Sequence, residues 1–137
     1  MKVVVIDGQG GKMGQMIIDR IKNADMPCDL TAIGTNSIAT AAMLKAGASA
    51  GATGEYPVVV ASRDADVIIG PIGIIAADSL LGEITPAMAV AVGQSKAIKL
   101  LLPVNLCNNI IVGTGLMTMT VLISEAVNEL AKIIKKS

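Results

Sequence analysis

The chain opens on Val3-Val4-Val5-Ile6-Asp7-Gly8-Gln9-Gly10-Gly11-Lys12-Met13-Gly14, and no other stretch limits its possible folds so strongly. A β-branched run without polar interruption is the pattern of a central parallel strand, covered on both faces. Four glycines then fall within seven residues, and Met13, Met16, Ile17 and Ile21 recur at helical spacing. Strand, Gly-rich turn and helix in that order form the unit with which a nucleotide-binding α/β domain begins.

Alternation continues down the chain. The patterning predicts strands at 2–7, 30–33, 58–60, 66–69 and 97–102, with a possible sixth at 109–112. Helices are expected at 11–24, from Ile38 to before Gly47, at 74–81, at 86–94 behind Thr85-Pro86, and over the stripe Met119, Leu122, Ile123, Ala126, Val127, Leu130, Ile133, Ile134. The stretch 51–54 reads as a turn. Strands and helices at this spacing predict one α/β domain over 1–137. Its expected core is a single doubly wound, mostly parallel, Rossmann-like sheet of five to six strands.

Composition removes several function classes. With 53% hydrophobic and 16% charged residues, the 137-residue chain is too apolar for disorder. A net charge of zero and 1% aromatics argue against nucleic acid. The apolar run 67–77 is broken by Gly70, Pro71 and Gly73, short of the ~20 residues of a membrane span. The apolar start after Lys2 is too short for a signal peptide. Two cysteines without a secretion signal read as reduced thiols, so a cytoplasmic protein is expected. No histidine is present, which leaves Cys107 without an activating base and makes a zinc site improbable. The apolar excess exceeds what a small domain hides within itself, so a homo-oligomer is expected, most simply a dimer.

In such folds ligands bind outside the carboxyl ends of the strands. The ends here are Gly8, Gln9, Gly10, Gly11, Lys12, Met13 and Gly14; then Gly34 with Thr35, Asn36 and Ser37; then Gly70, Pro71, Ile72 and Gly73; and Pro103 to Asn108 with Asn105. Gly8 would allow the tight turn, Gly11 the approach of backbone to a diphosphate, and Gly14 close packing of helix on strand. Lys12 either neutralises a phosphate or is solvated. Thr35, Asn36 and Ser37 are either plain helix caps or contacts to a ribose or its 2′-phosphate. They stand where a carboxylate usually meets the ribose hydroxyls. Asp7 would repel a diphosphate unless it held a cation or pointed away, and it could instead accept N–H groups of the turn. Gly70 to Gly73 is most simply a turn, and Asn105, Cys107, Asn108 and Asn109 form either a tight turn or a polar pocket rim.

The segment Gly8-Gln9-Gly10-Gly11-Lys12-Met13-Gly14 resembles the dinucleotide turn of dihydrodipicolinate reductases, G-x-G-G-[RK]-M-G after the first strand. The resemblance covers about the first 20 residues and implies binding of the diphosphate of NAD or NADP. No substrate domain of that family follows. With Gly34 to Thr40 and Gly70 to Gly73 included, the whole chain is similar to a family of small uncharacterised bacterial Rossmann-like proteins, a likeness that implies no activity. Three functions stay open at this point. One is a nucleotide-binding, NAD(P)-type domain of regulatory role. Another is a small NAD(P)-dependent oxidoreductase whose site is completed at a dimer interface. The third is a ligand-free assembly protein.

Overall fold

The computed structural model describes residues 1–104 and 108–137. Five strands, β1 (Lys2–Asp7), β2 (Asp29–Gly34), β3 (Ala50–Thr53), β4 (Val67–Pro71) and β5 (Ile98–Leu102), pair in the order β3-β2-β1-β4-β5. Every pairing is parallel. Helices α1 (Lys12–Asn23), α2 (Ser37–Lys45), α3 (Glu55–Asp64), α4 (Pro86–Gln94) and α5 (Met119–Lys136) cover both faces. This is the doubly wound α/β fold expected from the alternation of elements.

The unbroken apolar row of β1 serves two cores at once. Val3 and Val5 face Ile17, Ile18 and Ile21 of α1, Met43 of α2, and Ile123, Val127 and Leu130 of α5. Val4 and Ile6 face the opposite side, with Val58 of α3 and Met88 and Val92 of α4. Alternate side chains of a strand leave by opposite faces, so a strand buried on both has no polar position to offer. β1 lies between β2 and β4, and the chain crosses from one half of the sheet to the other at that point.

Four expectations are corrected. The β-branched stretch 58–60 is helical, in the middle of α3. Val58 and Ser62, one helical turn apart, are buried while Val60 between them is exposed, whereas a strand would put Val60 on the same face as both. Pro57 falls in the first helical turn, where the missing N–H costs nothing. The third strand is instead Ala50–Thr53, where a turn was expected; it pairs with Thr31 to Gly34 at the sheet edge. Its small residues have low strand propensity, but a Cβ on Gly51 would stand 2.9 Å from the Leu44 side chain, so smallness lets α2 lie on it.

The stretch 74–81 is not a helix. A single 3-10 turn covers Ile72–Ile75, after which the chain runs through turns to Ile84. Asp78, Leu80 and Leu81 have φ of 70°, 54° and 55°, so the helical pattern is broken where Leu80 goes into the core. Residues 109–112 form no strand. Among the described residues no helix is long and apolar enough to cross a membrane.

Candidate functional site

The turn between β1 and α1 is held from beneath. Asp7, at the end of β1, is buried, and each of its oxygens accepts one N–H of the turn, from Gly8 and from Gly14, both at 2.8 Å. Burial pushes its carboxyl up, against the two hydrogen bonds, and the charge of Glu83 adds to the rise. Its carboxylate therefore acts as a strut inside the loop, since both oxygens are committed to the turn. The Gly11 N–H closes the turn on the Gly8 carbonyl at 2.9 Å.

Three of the four glycines of the turn have close neighbours. Gly11 has φ of 72°, and a Cβ there would meet the Ala39 backbone at 2.7 Å, so its bareness serves α2. A Cβ on Gly14 would strike Met43 of the same helix and stand 3.0 Å from the Asp7 Cβ. A Cβ on Gly8 would lie 2.6 Å from both Thr35 Oγ1 and Glu83 Oε1. Gly10 is the exception: it is exposed, its φ is ordinary, and nothing stands within 4 Å of a Cβ built on it. The N–H groups of Gly10, Lys12 and Met13 have no acceptor among the described residues. They lie at the positive end of the α1 dipole.

The ends of β1 and β2 come together. Asn36 caps α2 by accepting the Ala39 N–H at 2.9 Å, and its amide donates to the Gln9 carbonyl at 2.9 Å. Asn36 is therefore both the cap of α2 and a tie between α2 and the turn. Ser37 is exposed at the first position of α2. Gly70 ends in close contact with β1, where a Cβ would strike the Ile6 carbonyl oxygen. Pro71 closes β4. Ile72 and Gly73 line a cavity of about 250 Å³ with Ile75, Ala76, Ser79 and Ile111. Asn109 also lines it, whereas Asn105 and Cys107 lie outside the described residues. Two larger grooves, of about 470 and about 560 Å³, run along β5–α5 and between α3 and α4. Half-buried Cys28 sits apart from the turn, packed against the α1 face of the sheet, and burial pushes its thiol up, opposite to what a nucleophile needs.

Glu83 was not foreseen. It reaches over the turn from the chain between β4 and α4, and its Oε1 accepts from Gln9 N–H at 2.7 Å, from Asn36 Nδ2 at 3.2 Å and from the Thr35 hydroxyl. A carboxylate thus does stand at the end of β2, delivered from another element. Gln9, the donor beneath it, has φ of 50°. Burial works to raise Glu83, but the hydrogen bonds from Gln9, Thr35 and Asn36 together outweigh it and hold the carboxyl below the ordinary glutamate range. A lowered folded value means stability that is present above the unfolded value and lost as pH falls through the folded one. Asp7 has the opposite sign, favouring the fold at low pH and less so as pH rises through its folded value. Glu83→Gln is therefore expected to lose less stability than the wild type between about pH 5 and about pH 3, read from urea midpoints. An acid limb identical to the wild type's would contradict these bonds.

Among the described residues no cluster of three metal-ligating side chains occurs. No curated protein matches the chain. Among solved structures it is similar to a dodecameric FMN-dependent Ubix-like decarboxylase from Escherichia coli O157:H7, at 11% identity and a TM-score of 0.44, over 98% of this chain and 95% of that one. The model of one family, described as a domain of unknown function (DUF3842), matches residues 2–135, nearly the whole domain built around the turn, and the chain belongs to that family.

Proposed function

We propose that the chain is a nucleotide-binding domain that takes a diphosphate-bearing ligand of the NAD or NADP class on the turn from Gly8 to Gly14. The observation that carries this reading is the combination at Gly10. Three N–H groups, on Gly10, Lys12 and Met13, have no acceptor among the described residues, and Gly10 is the one glycine of the turn that no neighbour and no φ requires. A phosphate against them would gain hydrogen bonds and the helix dipole together. Lys12, exposed beside them, adds a positive charge. Asp7 does not oppose this, because both of its oxygens are committed to the underside of the turn. Thr35 and Asn36 supply a hydroxyl and an amide on the ribose side. The apolar cavity beside Ile72 and Gly73 lies at the neighbouring strand end, where a flat ring fits.

The test is thermal shift and calorimetry with NAD, NADP, AMP, ATP and flavins. A dinucleotide at about 100 times its Kd is expected to stabilise the fold by about 2.7 kcal/mol. The control is Gly10→Asp, which has room for its side chain and should stay within about 0.5 kcal/mol of wild-type stability while losing the ligand shift. Absence of any shift with all ligands, or full binding by Gly10→Asp, would sink the reading. Light scattering on the same samples is expected to show a dimer or larger, because Ile110, Val112 and Leu116 are 87%, 93% and 106% exposed and gain by burial against a second copy.

A further inference from the structure

We infer that Glu83 is a built-in plug of the nucleotide site: its carboxylate holds donors that a phosphate-bearing ligand needs, and the 76–84 loop must withdraw before such a ligand binds fully. The inference rests on the nucleotide reading above. One oxygen of Glu83 gathers three donors from two different strand ends, the Gln9 N–H, the Thr35 hydroxyl and the Asn36 amide. Backbone N–H, hydroxyl and amide converging on one point form the kind of donor set that holds a phosphate or ribose oxygen. A second anion brought to the same turn meets a carboxylate already there, and the two repel.

The way the loop is built supports displacement. Asp78, Leu80 and Leu81 all sit in the left-handed region, at φ of 70°, 54° and 55°, followed by Gly82 at 85°. Non-glycine residues persist there only where surrounding contacts over-determine them. The backbone hydrogen bonds that hold them run within the loop itself or to Gly73, so the loop can move as a unit: the Gly82, Glu83 and Ile84 N–H groups donate to the Asp78, Leu80 and Ser79 carbonyls. Leu80 is 3% exposed and lies beneath Gly8, the Asp78 N–H donates to the Ile84 carbonyl at 2.7 Å, and the Ser79 hydroxyl donates to the Gly73 carbonyl. Leu81, beside them, is 93% exposed. The hydrogen bonds from this loop to the turn and to the β2 end all pass through the Glu83 side chain. Ile84, buried and next to the α4 cap, gives the loop a fixed base. Ser79 and Ala76 line the cavity near β4, so withdrawal of the loop also widens that cavity. A site competent only when open binds with an affinity reduced by the open fraction.

The experiment compares wild type, Glu83→Gln and Glu83→Ala by calorimetric titration with NAD, ADP and inorganic pyrophosphate, with hydrogen exchange followed over 76–84. Both variants are expected to bind about tenfold more tightly than wild type, the scale of one charge-assisted hydrogen bond exchanged. In the wild type, saturating ligand is expected to speed exchange in the loop. Unchanged or weaker binding by both variants, with the wild type still binding, would overturn the plug and leave the nucleotide reading standing. Loop amides that slow on ligand binding would overturn it too, by making Glu83 a ligand contact. If none of the three proteins binds any of the probes, the nucleotide reading itself fails, and the plug with it.

Discussion

Gly11→Ala is expected to destabilise the protein by about 2–5 kcal/mol, the sum of a left-handed φ imposed on alanine and overpacking against backbone. The φ of 72° already disfavours any side chain. The new methyl would also stand 2.7 Å from Ala39 Cα and 2.8 Å from its carbonyl oxygen, and neither atom can swing aside as a side chain does. Relief requires α2 to move off α1. That movement would carry Asn36 with it, since Asn36 caps α2 through Ala39, and so would pull the β2 end away from the turn. Against a total stability of about 5–15 kcal/mol such a loss is large, and a fall in Tm of roughly 10 °C or more should accompany it. Differential scanning calorimetry checks the first part. A variant with wild-type Tm would show that the turn and α2 are not packed as described.

Asp7→Ala is the second large effect, expected at about 2–5 kcal/mol because two buried N–H groups lose their acceptor at once. The donors are Gly8 N–H, at the start of the turn, and Gly14 N–H, in the first turn of α1. Asp7→Asn should also be destabilised. Its amide oxygen can accept from one donor, but its NH₂ then faces the other. Chemical denaturation of the two variants measures this, and wild-type stability in Asp7→Asn would contradict a carboxylate that accepts through both oxygens. The raised carboxyl value of Asp7 fits the same picture, since it records the cost of burying a charge that the loop nonetheless uses.

Much of this architecture is legible locally. β1, α1, β2, α2, β4, α4, β5 and α5 follow from hydrophobic period, glycine stops and caps such as Asn36 and Thr85, all written within a dozen neighbouring residues. β3 and α3 are not legible in that way. Val58, Val59 and Val60 have strand propensity, yet the face shared by Val58 and Ser62 is what the core accepts. Ala50 to Thr53 has no strand signal and is recruited by the free edge of β2. Glu83 has no local signal either, because its partner Gln9 lies 74 residues away and only the strand order brings them together.

By itself, then, the sequence determined that a parallel α/β sheet forms and that its first turn is Gly-rich and placed before a helix. Periodicity and glycine content are properties of short stretches, and short stretches suffice to express them. Tertiary structure alone decided what fills each gap: the Ala39 backbone against Gly11, Met43 against Gly14, and the Glu83 carboxylate above Gly8, leaving only Gly10 open. Those assignments depend on which helix lies beside which strand end. That is set by packing across the whole sheet, where distant residues meet and local propensity has no say.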